Sequence, residues 1–438
     1  MANTFLSRSN SSGTSTQKGT ISVWIKGSEE PSGNNQTTLA CWGNANNHGA
    51  LIWNGGDKID AFDYQSGYAS QLQTNALLRD SSAWYHIVYA WDTTLSTAND
   101  RQKIYINGIE QTYSTRTNYS TNAATSWNAN SYSMRVGGLN SSSYFNGLMS
   151  HIHFIDGIAY APTLFGETDS TTGQWKIKTS PSVTYGNNGF FVLKDGITIT
   201  DSSPNSNNFS LSGGTLTKTE DCPSNNFATL NPLLDVNAVP TFSNGNTTIV
   251  GSSSGGARLS GSSISVGTGK WYYEIKTTVH GSQPYIGVID AQSNIRRNSS
   301  YFVAATSGSN DSGYAVNMSG DIYYNNSSTY ASNIGSISTG NILGFAVDLT
   351  STQKTCTIYK NGTSMRTFNL ANPSSGNYIL GVCSISNSTS AKCEVNFGNG
   401  KFGTTAVSSA GTNASANGIF EYNVPSGYSA LSTKGLNL

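Results

Sequence analysis

The sequence predicts an all-β protein of two antiparallel, jelly-roll-like β sandwiches joined by an ordered connector. Segments with apolar residues at every second position recur along the chain, split by Gly, Asn and Ser clusters, and almost none shows helical spacing. The length of 438 residues is room for two or three domains at roughly 150 residues each. Charged residues make up only 11% while aromatics also reach 11%, with 23 Tyr and 8 Trp. Disordered chains run the other way, rich in charge and poor in rings. Helix is expected to stay below about a tenth of the chain.

In chain order, residues 19–26 place Ile21, Val23 and Ile25 on one face of a strand. Residues 84–91 are apolar on both faces, as in a central strand covered on both sides. The strand at 103–106 runs into Asn107-Gly108, a pair that favours the positive backbone angles of a tight hairpin. Strands at 134–138 and 148–155 complete a first sandwich over 1–165. Residues 166–226 read as the connector, with short strands and with Trp175, Phe190 and Phe191 needing burial. A free tether would be poorer in aromatics. The second sandwich spans 227–400. In it Trp271, Tyr273 and Ile275 share one face, and so do Leu343, Phe345, Val347 and Leu349. Asn361-Gly362 marks another hairpin, and the tail at 401–438 is expected to pack back through Phe420, Tyr422, Tyr428 and Leu431.

Two family resemblances attach to these segments. Gly19-Thr-Ile-Ser-Val-Trp-Ile-Lys26, Trp84-Tyr-His-Ile-Val-Tyr-Ala-Trp-Asp92, Arg101-Gln-Lys-Ile-Tyr-Ile-Asn-Gly108 and Phe145-Asn-Gly-Leu-Met-Ser-His-Ile-His-Phe154 resemble, in this order, the laminin G-like, concanavalin A-like lectin fold. Gly269-Lys-Trp-Tyr-Tyr-Glu-Ile275, Tyr285-Ile-Gly-Val288, Gly340-Asn-Ile-Leu-Gly-Phe-Ala-Val-Asp-Leu349 and Thr357-Ile-Tyr-Lys-Asn-Gly362 resemble a SPRY domain, with Gly313-Tyr-Ala315 where that family has a Trp-Gly pair. The pairing of the two, with Asp221-Cys-Pro-Ser-Asn-Asn-Phe-Ala-Thr-Leu-Asn231 between them and Tyr422-Asn-Val-Pro-Ser-Gly-Tyr-Ser-Ala-Leu431 at the end, is similar to virion structural proteins of tailed marine bacteriophages. That resemblance implies a place on a fibre or particle surface.

Several chemistries are disfavoured. Lys plus Arg and Asp plus Glu both number 24, so no net positive field draws the chain to nucleic acid. No run of about 18 apolar residues suits membrane insertion. The N-terminus lacks an apolar signal core, so synthesis in the host cytoplasm and release with a virus particle is expected. The five cysteines include no C-x-x-C and are expected to be buried thiols, although Cys383 and Cys393 could flank one hairpin. Retaining β-glucanases on concanavalin-like folds alternate Glu, Asp and Glu along one strand, with the catalytic pair about 5 Å apart. Here Glu167-Thr-Asp169 lacks the third acid, Asp57, Asp60 and Asp63 fall at spacing three, and the chain has only eight Glu. No enzyme activity and no catalytic residue are expected. His151 and His153 could form half of a metal site, but no third ligand is near and sheet-surface histidines are the preferred reading. No cofactor is expected. Calcium, common in laminin G-like domains, could sit between Asp92 and Asp100, which otherwise read as turn residues.

Surface aromatics remain. Sugar rings stack on aromatic faces while amides and carboxylates fix the hydroxyls. Stretches read as loops carry Trp53, Tyr64, Tyr68, Tyr301, Tyr323, Tyr324 and Tyr330. Of these Tyr301, Tyr324, Tyr330, Tyr64 and Tyr68 are the candidates for ligand contact, against the alternative that they are packing residues. Removing Tyr301, Tyr324 and Tyr330 is expected to lower adsorption with little change in melting temperature. The expected role is a non-enzymatic virion surface protein, a compact fibre, knob or capsid decoration. Its partners would be other virion proteins, further copies of itself in a homo-oligomer, and host surface glycan or protein. A dedicated host-receptor adhesin of the tail is the alternative, and a secreted glycan hydrolase is less favoured.

Overall fold

The computed structural model describes residues 4–437 apart from 29–36, 45, 131, 140–142, 195–197, 235–240, 252–257, 282–283, 293–312, 325–326, 386–389 and 409–416. Among the described residues the structure is all β, with three-residue 3-10 turns and no α-helix. It forms two compact units, Met1–Lys218 and Thr219–Leu438.

The first unit is built from β1 (Phe5–Ser9), β2 (Lys18–Gly27), β3 (Thr37–Gly43), β4 (Asn47–Trp53), β5 (Ile59–Gln65), β6 (Tyr68–Thr74), β7 (Tyr85–Asp92), β8 (Gln102–Ile106), β9 (Ile109–Glu110), β10 (Tyr113–Thr117), β11 (Ser133–Val136), β12 (Gly147–Asp156), β13 (Gly166–Thr168), β14 (Trp175–Ile177), β15 (Phe190–Val192) and β16 (Ser210–Ser212). An eight-stranded antiparallel sheet runs β10-β6-β5-β4-β3-β11-β1-β16 and faces a six-stranded sheet, β15-β12-β2-β7-β8-β9. Period-two alternation sends Ile21, Val23 and Ile25 from one sheet and Leu51, Trp53, Ile59 and Leu72 from the other into one core, where Trp42, Trp91 and Trp127 are nearly solvent-free. Asn107 and Gly108 take φ of 48° and 81° and close the β8–β9 hairpin, as the Asn-Gly pair requires. The segment after 165 belongs to this unit. Phe190 and Phe209 join its core, β15 pairs with β12, and β16 pairs with β1.

The outer face of the six-stranded sheet is covered. On β7, Ile87, Tyr89 and Trp91 point into the core, while Val88 packs outward against Phe165, Tyr105 and Tyr185. The β13–β14 hairpin lays Trp175 against Gly108, where any Cβ would come within 2.4 Å of the indole.

The second unit contains β17 (Thr241–Ser243), β18 (Thr248–Val250), β19 (Arg258–Ser260), β20 (Ser265–Val266), β21 (Lys270–Thr278), β22 (Tyr285–Asp290), β23 (Gly313–Val316), β24 (Ile322–Tyr324), β25 (Ser327–Ala331), β26 (Ile342–Asp348), β27 (Lys354–Lys360), β28 (Thr363–Leu370), β29 (Tyr378–Ile385), β30 (Lys392–Asn396), β31 (Lys401–Phe402), β32 (Thr405–Ala406) and β33 (Ser429–Ala430). One sheet runs β17-β18-β30-β21-β26-β27-β28 with β33 alongside β21, and the other runs β19-β29-β22-β23-β24-β25 with β20 on β29. Trp271, Tyr273 and Ile275 meet Leu343, Phe345 and Val347 in the core between them. Gly287 allows the close approach of β22 and β23, because a Cβ there would lie 1.7 Å from the Tyr314 carbonyl oxygen. The C-terminal segment covers the outer face of β21, with Phe420, Val424 and Ala430 packed on Tyr272, Ala346 and Phe227. Glu274 fixes it by accepting the backbone N–H groups of Glu421 and Tyr422 at 2.8 and 3.0 Å.

Candidate functional site

Alternation along β4, β5 and β6 that fills the core with Leu51, Ile59, Ala61 and Leu72 turns the intervening residues outward. The outer face of the eight-stranded sheet therefore carries His48, Ala50 and Ile52 on β4, Asp60, Phe62 and Tyr64 on β5, and Gln71 and Gln73 on β6. Its floor is a small apolar cluster of Cys41, Ala50, Ile52 and Phe62, separate from the core, with Tyr64 and Leu139 against it.

Strict alternation would send Tyr68 inward, in phase with Ser70, Leu72 and Thr74. The register between β5 and β6 shifts between Asp63 and Tyr64, so that Tyr64 pairs with Tyr68. This bulge returns Tyr68 to the outer face. Its ring lies edge-on to Phe62 at 5.7 Å and to Tyr64 at 5.6 Å between centroids. His48 adjoins both Phe62 and Tyr64, at 5.6 and 5.8 Å. Tyr68 is 54% exposed, so the array of four rings ends in one that stands in solvent.

Beside the rings lies a polar row. Asp60 opposes Gln73 and is flanked by Gln71, whose Nε2 donates to Asp60 Oδ2 at 2.9 Å. Asp60 Oδ1 is buried and closes no hydrogen bond. Burial pushes the Asp60 carboxyl up to about 6, against the opposing pull of the two glutamine amides. Lys58 Nζ donates to Gln73 Oε1 at 3.5 Å and to Ser114 Oγ at 2.9 Å. Burial holds the His48 imidazole below its usual range, which leaves it neutral near pH 7. Asp63, one residue out of phase, points inward instead and accepts from Tyr119 OH at 3.2 Å and Ser126 N at 2.8 Å. Asp57 lies in the preceding turn, paired with Arg79 at 3.1 Å. Among the described strand residues of this face, Asp60 is the one carboxylate.

The sequence candidates fall in different places. Tyr64 and Tyr68 are brought together, on strands rather than on loops. Trp53 is a core residue. Tyr301 lies outside the described residues. Tyr323 and Tyr324 are on β24 and Tyr330 on β25, which corrects their assignment to loops. Tyr324 stacks on Tyr314 at 4.6 Å, Tyr330 meets Tyr314 at 5.2 Å, and Tyr330 OH donates to the Asn369 carbonyl at 2.8 Å. Both rings pack against the core. This corrects the expectation that they can be removed at little cost in stability. Tyr324→Ala or Tyr330→Ala is expected to destabilise the second unit by about 2–4 kcal/mol, measured by denaturant unfolding. Unchanged unfolding midpoints would show that the rings carry no packing.

The histidines are not on an open surface, which corrects that reading. His153 is 2% exposed, stacks on Phe191 at 3.9 Å and bonds Tyr185 OH at 3.0 Å. His151 takes φ of 47° where β12 bulges against β2, and its Nδ1 meets Ser150 Oγ at 2.8 Å. His86 is fully buried and held down to about 3 by loss of water. Trp175 Nε1 donates to its Nδ1 at 3.0 Å, so Nε2 carries the proton and donates to Ser22 Oγ at 2.8 Å. Asp92 Oδ1 accepts from Thr94 N and Oγ1 at 2.9 and 2.5 Å, and Oδ2 faces Lys18 at 3.0 Å. Asp100 pairs with Lys103 at 3.3 Å. Glu167 and Asp169 are paired with Lys176 at 3.3 and 3.4 Å. Among the described residues no group of three His, Cys, Asp or Glu side chains is placed to hold a metal ion.

Phe62, His48, Asp60, Gln71 and Gln73 were missed as site residues. The signal for three of the site's β5 side chains was Asp60-x-Phe62-x-Tyr64, a period-two run of a carboxylate and two rings. Asp57, Asp60 and Asp63, at spacing three, do not share one strand face.

Comparison with known proteins bears on the first unit. Residues 3–159 match a laminin G family model described as the concanavalin A-like lectin/glucanases superfamily, so this part of the chain is similar to that family. Similar solved structures include the SPRY domain of human HERC1, at 17% identity over 34% of this chain and 87% of that one with a TM-score of 0.26. Domains LG4-5 of the mouse laminin alpha1 chain are 9% identical over 97% of this chain and 92% of that one, with a TM-score of 0.31. A SAP-like pentraxin from Limulus polyphemus is 11% identical over 36% and 72%, with a TM-score of 0.28. None of these likenesses bears on function. Among curated proteins no sequence matches.

Proposed function

We propose that this chain is a non-catalytic glycan-binding protein of the surface of a tailed-bacteriophage particle, and that the outer face of the eight-stranded sheet is its binding surface. One observation carries the binding reading. That face presents a continuous array of His48, Phe62, Tyr64 and Tyr68 beside the carboxylate and amides of Asp60, Gln71 and Gln73. Rings that stack on sugar faces, next to groups that bond hydroxyls, are what a glycan site needs. The other sheet of the unit has its outer face covered by Phe165, Tyr185 and Trp175.

Hydrolysis is disfavoured on the same geometry, because retaining and inverting glycosidases both need two carboxylates about 5–9.5 Å apart. Asp60 has no second acid beside it on the described strands of this face. The particle reading rests on the sequence motifs that resemble virion proteins and on a composition low in charge and rich in Asn, Ser and Gly. Copies of the chain on one particle would raise avidity by about 10²–10⁴ over a single site. A dedicated tail adhesin remains the alternative within this reading, and mass spectrometry of purified particles and their tails separates the two.

Binding is tested by retention of the purified chain on immobilised host surface glycan. Tyr68→Ala is expected to weaken retention about tenfold, since one stacked ring contributes about 1–3 kcal/mol. Its melting temperature is expected to stay within about 2 °C, because the ring is mostly in solvent. Unchanged retention with an intact fold would remove this face from the proposal.

A further inference from the structure

We propose that this face selects glycans bearing a free, protonated amine, and that Asp60 is the group that receives the ammonium. The inference rests on the glycan-binding reading and narrows it to a substrate class.

Asp60 is only 5% exposed, and its Oδ1 closes no hydrogen bond. Among the described residues it enters none of the ion pairs. Lys58, the cation just before β5, is engaged with Gln73 and Ser114 instead. Asp60 is thus a buried carboxylate with the Gln71 amide on Oδ2, the Gln73 amide beside it and no counter-charge. Such a group is costly unless something completes it. A sugar hydroxyl would fill one lone pair and leave the charge. An ammonium fills the lone pair and neutralises the charge together. The surroundings favour the same choice, since Phe62 is two residues along β5 and Tyr68 leans on Phe62. Aromatic faces attract a cation through their quadrupole. An N-acetylated or purely hydroxylated sugar gains the stacking but not the ion pair.

The half-buried Gln71 side chain borders the carboxylate, and to admit the amine it must turn aside. The other ionisable groups near Asp60 are Tyr68 and Tyr64 on the same surface, His48 on β4 and Lys58 just before β5, while Asp63 lies on the opposite side of the sheet. Burial holds His48 below its usual range and Tyr68 above its own, so neither adds a charge near pH 7 and the ammonium meets the Asp60 carboxylate. Binding then pulls the Asp60 proton off. Where burial keeps part of the empty carboxyl protonated, amine binding therefore releases protons.

The test is calorimetric titration of the full-length chain at about pH 6.5 with a glucosamine trimer and with the N-acetylglucosamine trimer of the same linkage. The amine trimer is expected to bind about tenfold tighter. In Asp60→Asn, which keeps shape but not charge, the two trimers are expected to bind alike. The binding heat is expected to vary with the ionisation enthalpy of the buffer in the natural chain and not in Asp60→Asn. Equal affinity of both trimers for the natural chain would overturn amine selection while leaving the glycan reading standing. Binding of neither trimer, with neutral host glycan still retained, would also overturn it. Loss of all glycan retention would bring down the reading beneath it. Binding of a tri-lysine peptide in place of both trimers would assign the carboxylate to a protein ligand and overturn the proposal.

Discussion

Asp60→Asn is expected to make the first unit more stable at pH 7–8 by about 1–3 kcal/mol while impairing its binding face. The folded carboxyl is pushed up from 3.8 to about 6 by burial. A carboxyl raised in this way favours the folded state fully below its unfolded value near 3.8. That contribution is lost as pH rises through about 6. At neutral pH the folded unit holds an ionised group that the unfolded chain ionises more readily. Asparagine cannot ionise, so the variant lacks this contribution and its stability changes less across the same window. Urea unfolding at about pH 4 and pH 8 tests this. The natural chain should be the more sensitive to pH. An Asn variant that unfolds more easily at pH 8 would show that the carboxylate is structural. A residue that costs stability where it sits is the kind that function retains.

The opposite outcome is expected at Glu274, which is also buried but fully partnered. Its oxygens accept from Glu421 N at 2.8 Å, Tyr422 N at 3.0 Å, Tyr272 OH at 3.2 Å and Asn396 Nδ2 at 3.4 Å. Glu274→Ala leaves the Glu421 and Tyr422 N–H groups and the Tyr272 hydroxyl without this acceptor in a buried site, while Asn396 Nδ2 keeps the Ile419 carbonyl at 3.0 Å, and a loss of about 3–5 kcal/mol is expected. The backbone amides of Phe420, Glu421 and Tyr422 should exchange hydrogen faster by orders of magnitude, because Glu274 is what ties the C-terminal segment to β21. Glu274→Gln keeps one acceptor and should lose less. Burial pushes the Glu274 carboxyl up to about 7, so its contribution in the natural chain is present below about 4.5 and is lost as pH rises through about 7. The Gln variant should lack that dependence. Slow exchange at 420–422 in Glu274→Ala would mean that packing of Phe420 alone holds the segment.

Much of the fold was legible because strand alternation reports directly on which face is dry. Ile21, Val23 and Ile25 lie in the core as read, and so do Leu343, Phe345, Val347 and Leu349. Asn107-Gly108 and Asn361-Gly362 carry the positive φ values that their turns demand. The site was less legible, for local and non-local reasons. Tyr68 reaches its face through a bulge that breaks the period of two, and His151 sits at another. The burial of His151 and His153 depends on Phe191 and Tyr185, more than thirty residues away in sequence, which no alternation reveals. Tyr64, Tyr324 and Tyr330 lie among Gly, Asn and Ser, which read as loop although the chain there is strand.

The central claim is that the outer face of the eight-stranded sheet is where ligand binds. An NMR titration of the full chain with host-derived oligosaccharide, following aromatic and amide side-chain signals, tests it most directly. Graded shifts are predicted for Phe62, Tyr64, Tyr68, His48 and Gln71, lost in Tyr68→Ala, with Trp91 and Tyr273 in the two cores unmoved. Shifts confined to other surfaces, with these five signals unchanged at saturation, would contradict the claim.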